Sequence, residues 1–260
     1  RHPETHPRDR VRFMTQGLPP SLERAQRVVV VSEFVRKEVQ QVYGTSIANK
    51  TVVVPNGVSP EFRPVSEEKA HALLNPHGLE PGAYLLALGT LEPRKNILAL
   101  LEAYTLLPKS LKQRYPLVLA GAEGWKTGAI ARRLHALRHE PILSMGFVDQ
   151  DLLPALYSAA RGFVYPSTYE GFGLPVLEAM ACGTPTLVST APALIEVQAG
   201  AGLSADPQDP PSFARALTQL LEDEPSRVIW RAAGLARAEA MSWDLAAQRL
   251  AQAYRQAMCA

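Results

Sequence analysis

The 260-residue chain is poor in cysteine: it has two, Cys182 and Cys259. Thiols so few and so far apart argue against a disulfide framework and fit a reducing compartment. Cys182 sits in "AMACG", where a small buried residue is the simplest reading. Neither sign of charge is in excess. Lys and Arg number 27 against 25 Asp and Glu, a net of +2, so bulk charge gives no argument for a nucleic-acid partner. Long apolar runs are lacking too; none approaches the roughly 20 residues that a membrane span needs. No signal-peptide pattern is recognised, and a cytoplasmic protein is expected. Neither G-x-G-x-x-G nor a P-loop occurs, which counts against dinucleotide redox chemistry and NTP hydrolysis. Internal repeats and low-complexity tracts are missing as well.

What is present is a hydrophobic content of 47%, ample for one large domain or two smaller ones. Short β-branched runs alternate with helical stretches. "RVVVVS" (Arg27 to Ser32) reads as a buried strand, "EFVRKEVQQVYG" as a helix ending at Gly44, and "KTVVVPNGV" as a second strand stopped by Pro55 and Asn56-Gly57. "SPEFRPVS", with two prolines in eight residues, reads as a linker or hinge. Beyond it the strands "AYLLALG", "PLVLAG", "ILSMG", "GFVYP" and "TPTLVS" alternate with helices near Asn96 to Leu107, Thr127 to Arg138, Asp151 to Ala160 and Pro175 to Cys182. Strands apolar on both faces belong in a parallel sheet covered by helices, so a doubly wound α/β sheet is expected. The tail from "PPSFARALTQ" onward reads as three amphipathic helices.

The candidate functional residues fall just after strands, on the edge where such sheets bind ligands. "GTLEPRKN" offers Gly89, then Arg94 and Lys95 at the start of a helix. Adjacent cations there oppose the helix dipole. An anion held between them and the helix N–H groups would remove the conflict; a solvated pair is the alternative. "STYEGFGLPVLEAM" places Gly171 and Gly173 where backbone N–H groups can approach a ligand, and Pro175 in the first turn of a helix. Glu170 precedes that turn and Glu178 lies about one helical turn beyond Leu174, so it looks back toward the loop. An ionised carboxylate accepts two hydroxyl hydrogen bonds side by side, which suits a vicinal diol. Two carboxylates flanking an anion site therefore suit a ligand with diols at both ends and phosphate between, the shape of a nucleotide sugar. A capping acid and a first-turn acid, both structural, are the alternative.

Three other patterns are weighed and set aside. "DQD" (Asp149 to Asp151) resembles a short metal-binding pattern, but an N-cap aspartate explains it. "RRLHALRH" reads as a solvated helix face, and its His135/His139 pair, at i, i+4 spacing, lacks an acidic third ligand. Paired glutamates also hydrolyse glycosides, but that chemistry has no use for the Arg-Lys pair or the phosphate-suited loop.

Together, "LGTLEPRKN", "MGFVDQDLLPALYSAARGFVYPSTYEGFGLPVLEAMACGTPTLVS" and "VVVVSEFVRKEV…TVVVPNGV" resemble the retaining glycosyltransferases of family 4, which have two Rossmann-like domains in a GT-B fold. Glu170 and Glu178 match the family's E-x7-E spacing. The resemblance runs from about His2 to the C-terminus. It implies that residues 1–60 are the end of an acceptor-side Rossmann domain, 61–242 the donor-binding domain, and 243–260 a helix crossing back. Arg94 and Lys95 would bind the donor diphosphate in place of a metal ion, and Glu170 would touch sugar hydroxyls. Gly171, Phe172, Gly173 and Leu174 would supply backbone contacts, and Glu178 would hold the ribose. Phe147 and Val148 would border the base. Ser32 and Asn56-Gly57 would lie near the interdomain cleft.

The implied reaction is transfer of a hexosyl group, mannose by preference, from a GDP- or UDP-sugar to a glycan or lipid-linked hydroxyl with retention. No metal or other cofactor is expected, and peripheral membrane contact at the inner face would come through the first domain. Only two strands and one helix precede the hinge on this reading. The His-Asp pair that relatives carry upstream of a segment like "RHPETHP" is not in the chain, and His2 and His6 do not fill its place. A fragment is therefore expected, one that binds nucleoside diphosphate but transfers no sugar alone. A non-catalytic nucleotide-sugar-binding subunit is the second functional class, and a GT-B phosphorylase or epimerase the third. Intact Arg94, Lys95, Glu170 and Glu178 favour the enzyme.

Overall fold

The computed structural model describes residues 7–125 and 127–258. Cys259, His2 and His6 lie outside them. The first elements are α1 (Arg8–Arg24), β1 (Val28–Val30), α2 (Glu33–Tyr43), α3 (Thr45–Asn49), β2 (Thr51–Val53) and α4 (Glu67–Leu74). Then come β3 (Leu85–Leu88), α5 (Ile97–Thr105), α6 (Lys109–Arg114), β4 (Leu117–Ala120), α7 (Gly128–Ala136) and β5 (Ile142–Gly146). Next are α8 (Leu153–Ser158), β6 (Gly162–Tyr165), α9 (Leu174–Ala181), β7 (Thr186–Ser189), α10 (Pro192–Gln198) and β8 (Leu203–Ala205). Three helices close the chain: α11 (Pro210–Glu222), α12 (Glu224–Glu239) and α13 (Trp243–Met258).

The chain divides into two compact units, one reaching to Gly57 and resuming at Met241, the other Val58–Ala240. In the first unit β1 and β2 run parallel, Val28 opposite Thr51, with α2 and α3 between them in sequence. The Ser32 hydroxyl caps α2, accepting from the Val35 N–H at 3.1 Å. Gly57 meets the start of α13 so closely that a Cβ there would stand 2.1 Å from the Trp243 nitrogen. The returning helix thus belongs to this unit. Helix α1 corrects the expectation of a single helix before the hinge. It carries Pro19 and Pro20 in its interior, each removing an i to i−4 bond, and a proline pair hides a helix from sequence reading.

In the second unit six parallel strands stand in the order β5-β4-β3-β6-β7-β8. This is the doubly wound arrangement, with its reversal between β3 and β6. The central strands β4, β6 and β7 are buried along their whole length, as their apolar runs require. Leu85, Leu117, Val164 and Leu187 pack with Leu100 and Leu101 of α5 and Phe213 and Leu217 of α11 in the main core. Each such leucine contributes about 1.5–3 kcal/mol by leaving water. The edge strand β5 is largely exposed. Strand β8 and helix α10 have no counterpart in the sequence reading; "LSA" has no β-branched run to announce a strand.

Three local expectations change. The proline-rich segment is not a loose linker: Phe62 is buried edge-on against Tyr157, and the Val65 N–H donates to the Ser158 hydroxyl at 3.1 Å. Asp149 precedes a short 3-10 turn, Gln150–Leu152, but its side chain makes no capping bond. Helix α7 ends at Ala136, so His135 and His139 do not share a helical face.

Candidate active site

The reversal between β3 and β6 brings two loops side by side, that after β3 and that after β6. They are joined through one carbonyl. The Arg94 oxygen accepts from the Thr168 N–H at 2.9 Å, the Thr168 hydroxyl at 3.2 Å and the Ser167 hydroxyl at 3.0 Å. The Ser189 hydroxyl, from the end of β7, holds the Ser167 carbonyl in turn. Arg94 and Lys95 do not sit in the first turn of α5, as expected. They close a 3-10 turn, Pro93–Lys95, and Asn96, left-handed at φ 54°, separates them from the helix. Pro93 fixes the turn's opening, and the αL residue turns both side chains out of the helical path.

The two cations converge on Glu170. Lys95 Nζ lies 2.7 Å from its Oε1, and Arg94 Nη1 lies 2.7 Å from its Oε2. Ser167 Oγ and the Tyr165 hydroxyl stand 2.8 Å and 3.0 Å from Oε1. Lys95 also donates to the Tyr165 hydroxyl, with Nζ 4.7 Å from that ring's centroid. A second carboxylate, Glu92, is buried to 2% exposure and accepts from Arg94 Nη2 at 2.6 Å. Arg94 Nη1 also donates to the Tyr169 carbonyl at 2.9 Å. Adjacent cations at this position call for an anion between them. In this structure Glu170 supplies it.

Burial pushes the Glu170 carboxyl up, but Lys95 and then Arg94 outweigh it and hold the group below its usual range. Burial lowers Arg94, but Glu170 and Glu92 raise it further, so it stays charged. Lys95 is pulled below its ordinary value because burial exceeds the help from Glu170, with Arg94 adding repulsion. Two cations and two carboxylates balance. The cluster is a nearly neutral, largely buried assembly whose charges hold one another in place.

The glycine turn leads from this cluster into α9. Gly173 takes φ 119° and precedes the helix without a side-chain cap; a Cβ there would lie 2.6 Å from Leu194 Cδ2. Leu174 is the first helical residue, and Pro175 follows it in the opening turn. Phe172 is buried and anchors the turn, so its backbone and not its ring is the part that can meet a ligand. Gly171 lies between Glu170 and Phe172, on the stretch that links the ion cluster to the helix start. One turn into α9, Glu178 accepts from the Tyr157 hydroxyl at 2.9 Å. Burial raises its carboxyl, the Tyr157 bond opposes this, and Glu61 raises it further. Tyr165 senses both acids: burial, then Glu170, then more weakly Glu178 push its phenol well above the ordinary value.

Gly89, just after β3, takes φ 145° beneath the Lys95 stem; a Cβ would come 3.5 Å from Lys95 Cε. Gly121, after β4, approaches it more tightly still, a Cβ there standing 2.1 Å from the Gly89 oxygen. Phe147 and Val148 follow β5 at the far end of the same sheet edge. Phe147 is 76% exposed, and the strand before it, β5, stands two places from β3 in the sheet. The structure thus brings Gly89, Arg94, Lys95 and Glu170 together, sets Glu178 one helical turn away, and leaves Phe147 apart. Glu92, Tyr165 and Ser167 were missed. "TLEPRKN" and "VYPSTYE" contain them: nothing local tells that Tyr165 and Ser167 meet the other string, or that Glu92 is buried against Arg94 of its own. Among the described residues no three His, Cys, Asp or Glu side chains group as a metal site, and no helix is long and apolar enough to cross a membrane.

Residues 73–237 match the family model for glycosyl transferases group 1, and residues 1–62 match that for glycosyltransferase family 4. Among characterised relatives, the Escherichia coli O-antigen chain mannosyltransferase B is 41% identical over 254 residues, covering 97% of this chain and 66% of that protein. The Escherichia coli serotype-specific mannosyltransferase WbdA is 36% identical over 226 residues, covering 85% of this chain and 28% of the relative. The chain therefore spans less than two thirds of the length of these relatives. Among solved structures, a sucrose-phosphate synthase from Thermosynechococcus elongatus superimposes with a TM-score of 0.79 at 29% identity, over 100% of this chain and 64% of its own. Anabaena HepE in complex with UDP and glucose gives 0.79 at 20% identity, over 89% of this chain and 63% of its own, a likeness of fold alone.

Proposed function

The chain belongs to the glycosyl transferases group 1 family, and from that premise we propose that it forms the donor side of a retaining mannosyltransferase that uses a nucleotide sugar, with GDP-mannose favoured over UDP-sugars. The acceptor is the hydroxyl of a glycan or a lipid-linked glycan. The observation that carries this reading is the meeting of Arg94, Lys95 and Glu170 beside the Gly171–Gly173 turn, at the reversal of the sheet. The names of the two mannosyltransferase relatives support the choice of sugar.

The diphosphate is taken to lie between the two cations and the start of α9, where the helix dipole and backbone N–H groups favour negative charge. As the sugar–phosphate bond breaks, charge grows on the leaving phosphate and the sugar becomes cation-like. Lys95 and Arg94, already oriented by Glu170, Glu92 and Tyr165, stabilise that growing charge without reorganising. They occupy the role a divalent metal has elsewhere, so no metal is proposed. Glu170 shares its cations with the phosphate and turns its oxygens to sugar hydroxyls. Glu178 holds the ribose diol, and Phe147 and Val148 border the base. The leaving phosphate takes the acceptor proton on the face it departs from, which retains configuration.

The test is an assay of the full-length protein with isotopically labelled GDP-mannose and a mannose-terminated glycan acceptor. Labelled product with the anomeric configuration of the donor, plus stoichiometric GDP, is expected, and EDTA should leave the rate unchanged. Release of GDP with free mannose only, or an inverted product, would refute the proposal.

A further inference from the structure

The opposite edge of the same sheet, at the amino ends of β3 and β6, carries a cavity of about 560 Å³. That volume lies within the range of small-molecule sites. Ser66 and Glu67 of the α4 start, Ser158 of α8, and Arg161, Arg227 and Arg231 line it. It is remote from Arg94 and Glu170, which sit at the carboxyl ends of the strands, and it does not depend on the glycosyltransferase reading.

The three arginines are unequal. Arg161 is committed to the fold: Nε and Nη2 donate to the Leu221 carbonyl at 3.0 and 2.8 Å, and Nη2 pairs with Glu224 at 2.7 Å. The Arg227 side chain is only 10% exposed. Its Nη1 donates to the Leu220 carbonyl at 2.8 Å and to the Arg161 carbonyl. Its Nε is buried without a hydrogen-bonded acceptor; the nearest carboxylate oxygen, of the exposed Glu224, is 3.4 Å away. Burial lowers Arg227, Arg161 adds repulsion, and Glu224 does not make up the loss. Arg231 is exposed and lies against Gly183, where a Cβ would be 3.3 Å from its Nε. It engages no carboxylate among the described residues. One exposed carboxylate, Glu224, serves both Arg161 and Arg227, and Arg231 beside them engages none among the described residues, so cations outnumber their carboxylate partners along a concave, polar wall.

We propose that this cavity is a second anion site, which takes the phosphomonoester of a small polyhydroxylated metabolite. The phosphate oxygens accept from Arg227 and Arg231, in the geometry that guanidinium donors favour. The hydroxyls donate to the Glu67 carboxylate and meet the Ser66 hydroxyl, groups an inorganic anion would leave unused.

Calorimetry of the full-length protein with hexose 6-phosphate, inorganic phosphate and unphosphorylated hexose tests this. Hexose 6-phosphate is expected to bind saturably, and Arg231→Ala, an exposed change that leaves the packing alone, should weaken it roughly tenfold, about 1.4 kcal/mol. Glu67→Gln should weaken hexose 6-phosphate several-fold and leave inorganic phosphate unchanged. Lys95→Ala should leave both unchanged, because the cations of the other edge are not involved. Inorganic phosphate binding as tightly as the sugar phosphate would overturn the metabolite assignment. Loss of binding in Lys95→Ala, retention in Arg231→Ala, or no saturable binding at all would overturn the site.

Discussion

Lys95 Nζ stands 2.7 Å from Glu170 Oε1, though the two residues are 75 positions apart in the chain. The contact exists because the sheet reverses between β3 and β6, so their loops become neighbours. Arg94 closes on the other oxygen of the same carboxylate. Both oxygens of Glu170 are therefore engaged by cations, and on the proposed function the donor diphosphate shares those cations with it.

Glu170→Gln tests how much that closure stabilises the fold. Removing one partner of a largely buried ion cluster leaves Arg94 and Lys95 facing each other, a loss of about 3 kcal/mol at neutral pH. Because the folded carboxyl is held below its usual range, its contribution is fully present above the unfolded value, about 4.3. It is lost as pH falls through the lower folded value. Urea denaturation should show wild type well above the variant at pH 7, with the gap narrowing in acid. Equal stability at pH 7 would show that the cluster adds nothing to the fold.

Lys95→Ala tests the charge-stabilising role. It removes a cation aimed at the proposed leaving group, so kcat in the full-length enzyme should fall about 10²-fold or more, near 2.7 kcal/mol. Donor KM should change less, since Arg94 and the α9 start remain. A variant with near wild-type kcat would remove Lys95 from the mechanism.

Much of this site was legible because strands and the loops after them can be read from β-branched runs and glycines. Arg94, Lys95, Glu170 and Glu178 stood out as charges placed at the ends of apolar strings. Tyr165 and Ser167 did not, since each meets a residue of the other loop, Lys95 and the Arg94 carbonyl, and pairing across the sheet has no local signature. Glu92 pairs with Arg94 only two residues on, but nothing in "EPR" announces that its carboxylate is buried. The 3-10 turn and αL Asn96 that re-aim Arg94 and Lys95 escaped because the apolar string "ILALLEAY" marks the helix only from Ile97, and nothing before it tells a first helical turn from a 3-10 turn. In α1 the opposite error operated, with Pro19 and Pro20 masking a helix of 17 residues.

The glycines near the site differ in what they tolerate. At Gly121, φ is 143° and an added Cβ would lie 2.1 Å from a backbone oxygen, that of Gly89. At Gly173, φ is 119° and the obstacle is the end of the Leu194 side chain at 2.6 Å. A side-chain tip can rotate away and a strand-end carbonyl cannot. Both alanine variants carry backbone strain of about 1–3 kcal/mol, but Gly121→Ala should melt at a clearly lower temperature than Gly173→Ala. Identical melting temperatures would mean that the Gly89 loop yields more readily than its packing implies.

If Glu178 holds the ribose as proposed, it should give nucleotide binding a pH dependence. Burial raises its carboxyl, the Tyr157 hydroxyl opposes this, and Glu61 adds to the rise. A raised carboxyl is stabilising to the fold below the unfolded value and loses that contribution as pH rises through the folded one. A ribose diol donates to the ionised form and so lowers the raised value. Binding then releases protons, and GDP affinity should climb as pH rises from the ordinary carboxylate range through the raised value of the free protein. The phosphate of GDP titrates as well, so the informative quantity is the difference between wild type and Glu178→Gln, which should bind more weakly with that part of the climb gone. Tyr157→Phe supplies the sharper arm. It removes the donor that favours the carboxylate, so Glu178 should rise further and the climb should move to higher pH. Calorimetry in two buffers of different ionisation heat would follow the released protons directly. A Tyr157→Phe profile that coincides with wild type would mean that the ribose hydroxyls are held elsewhere.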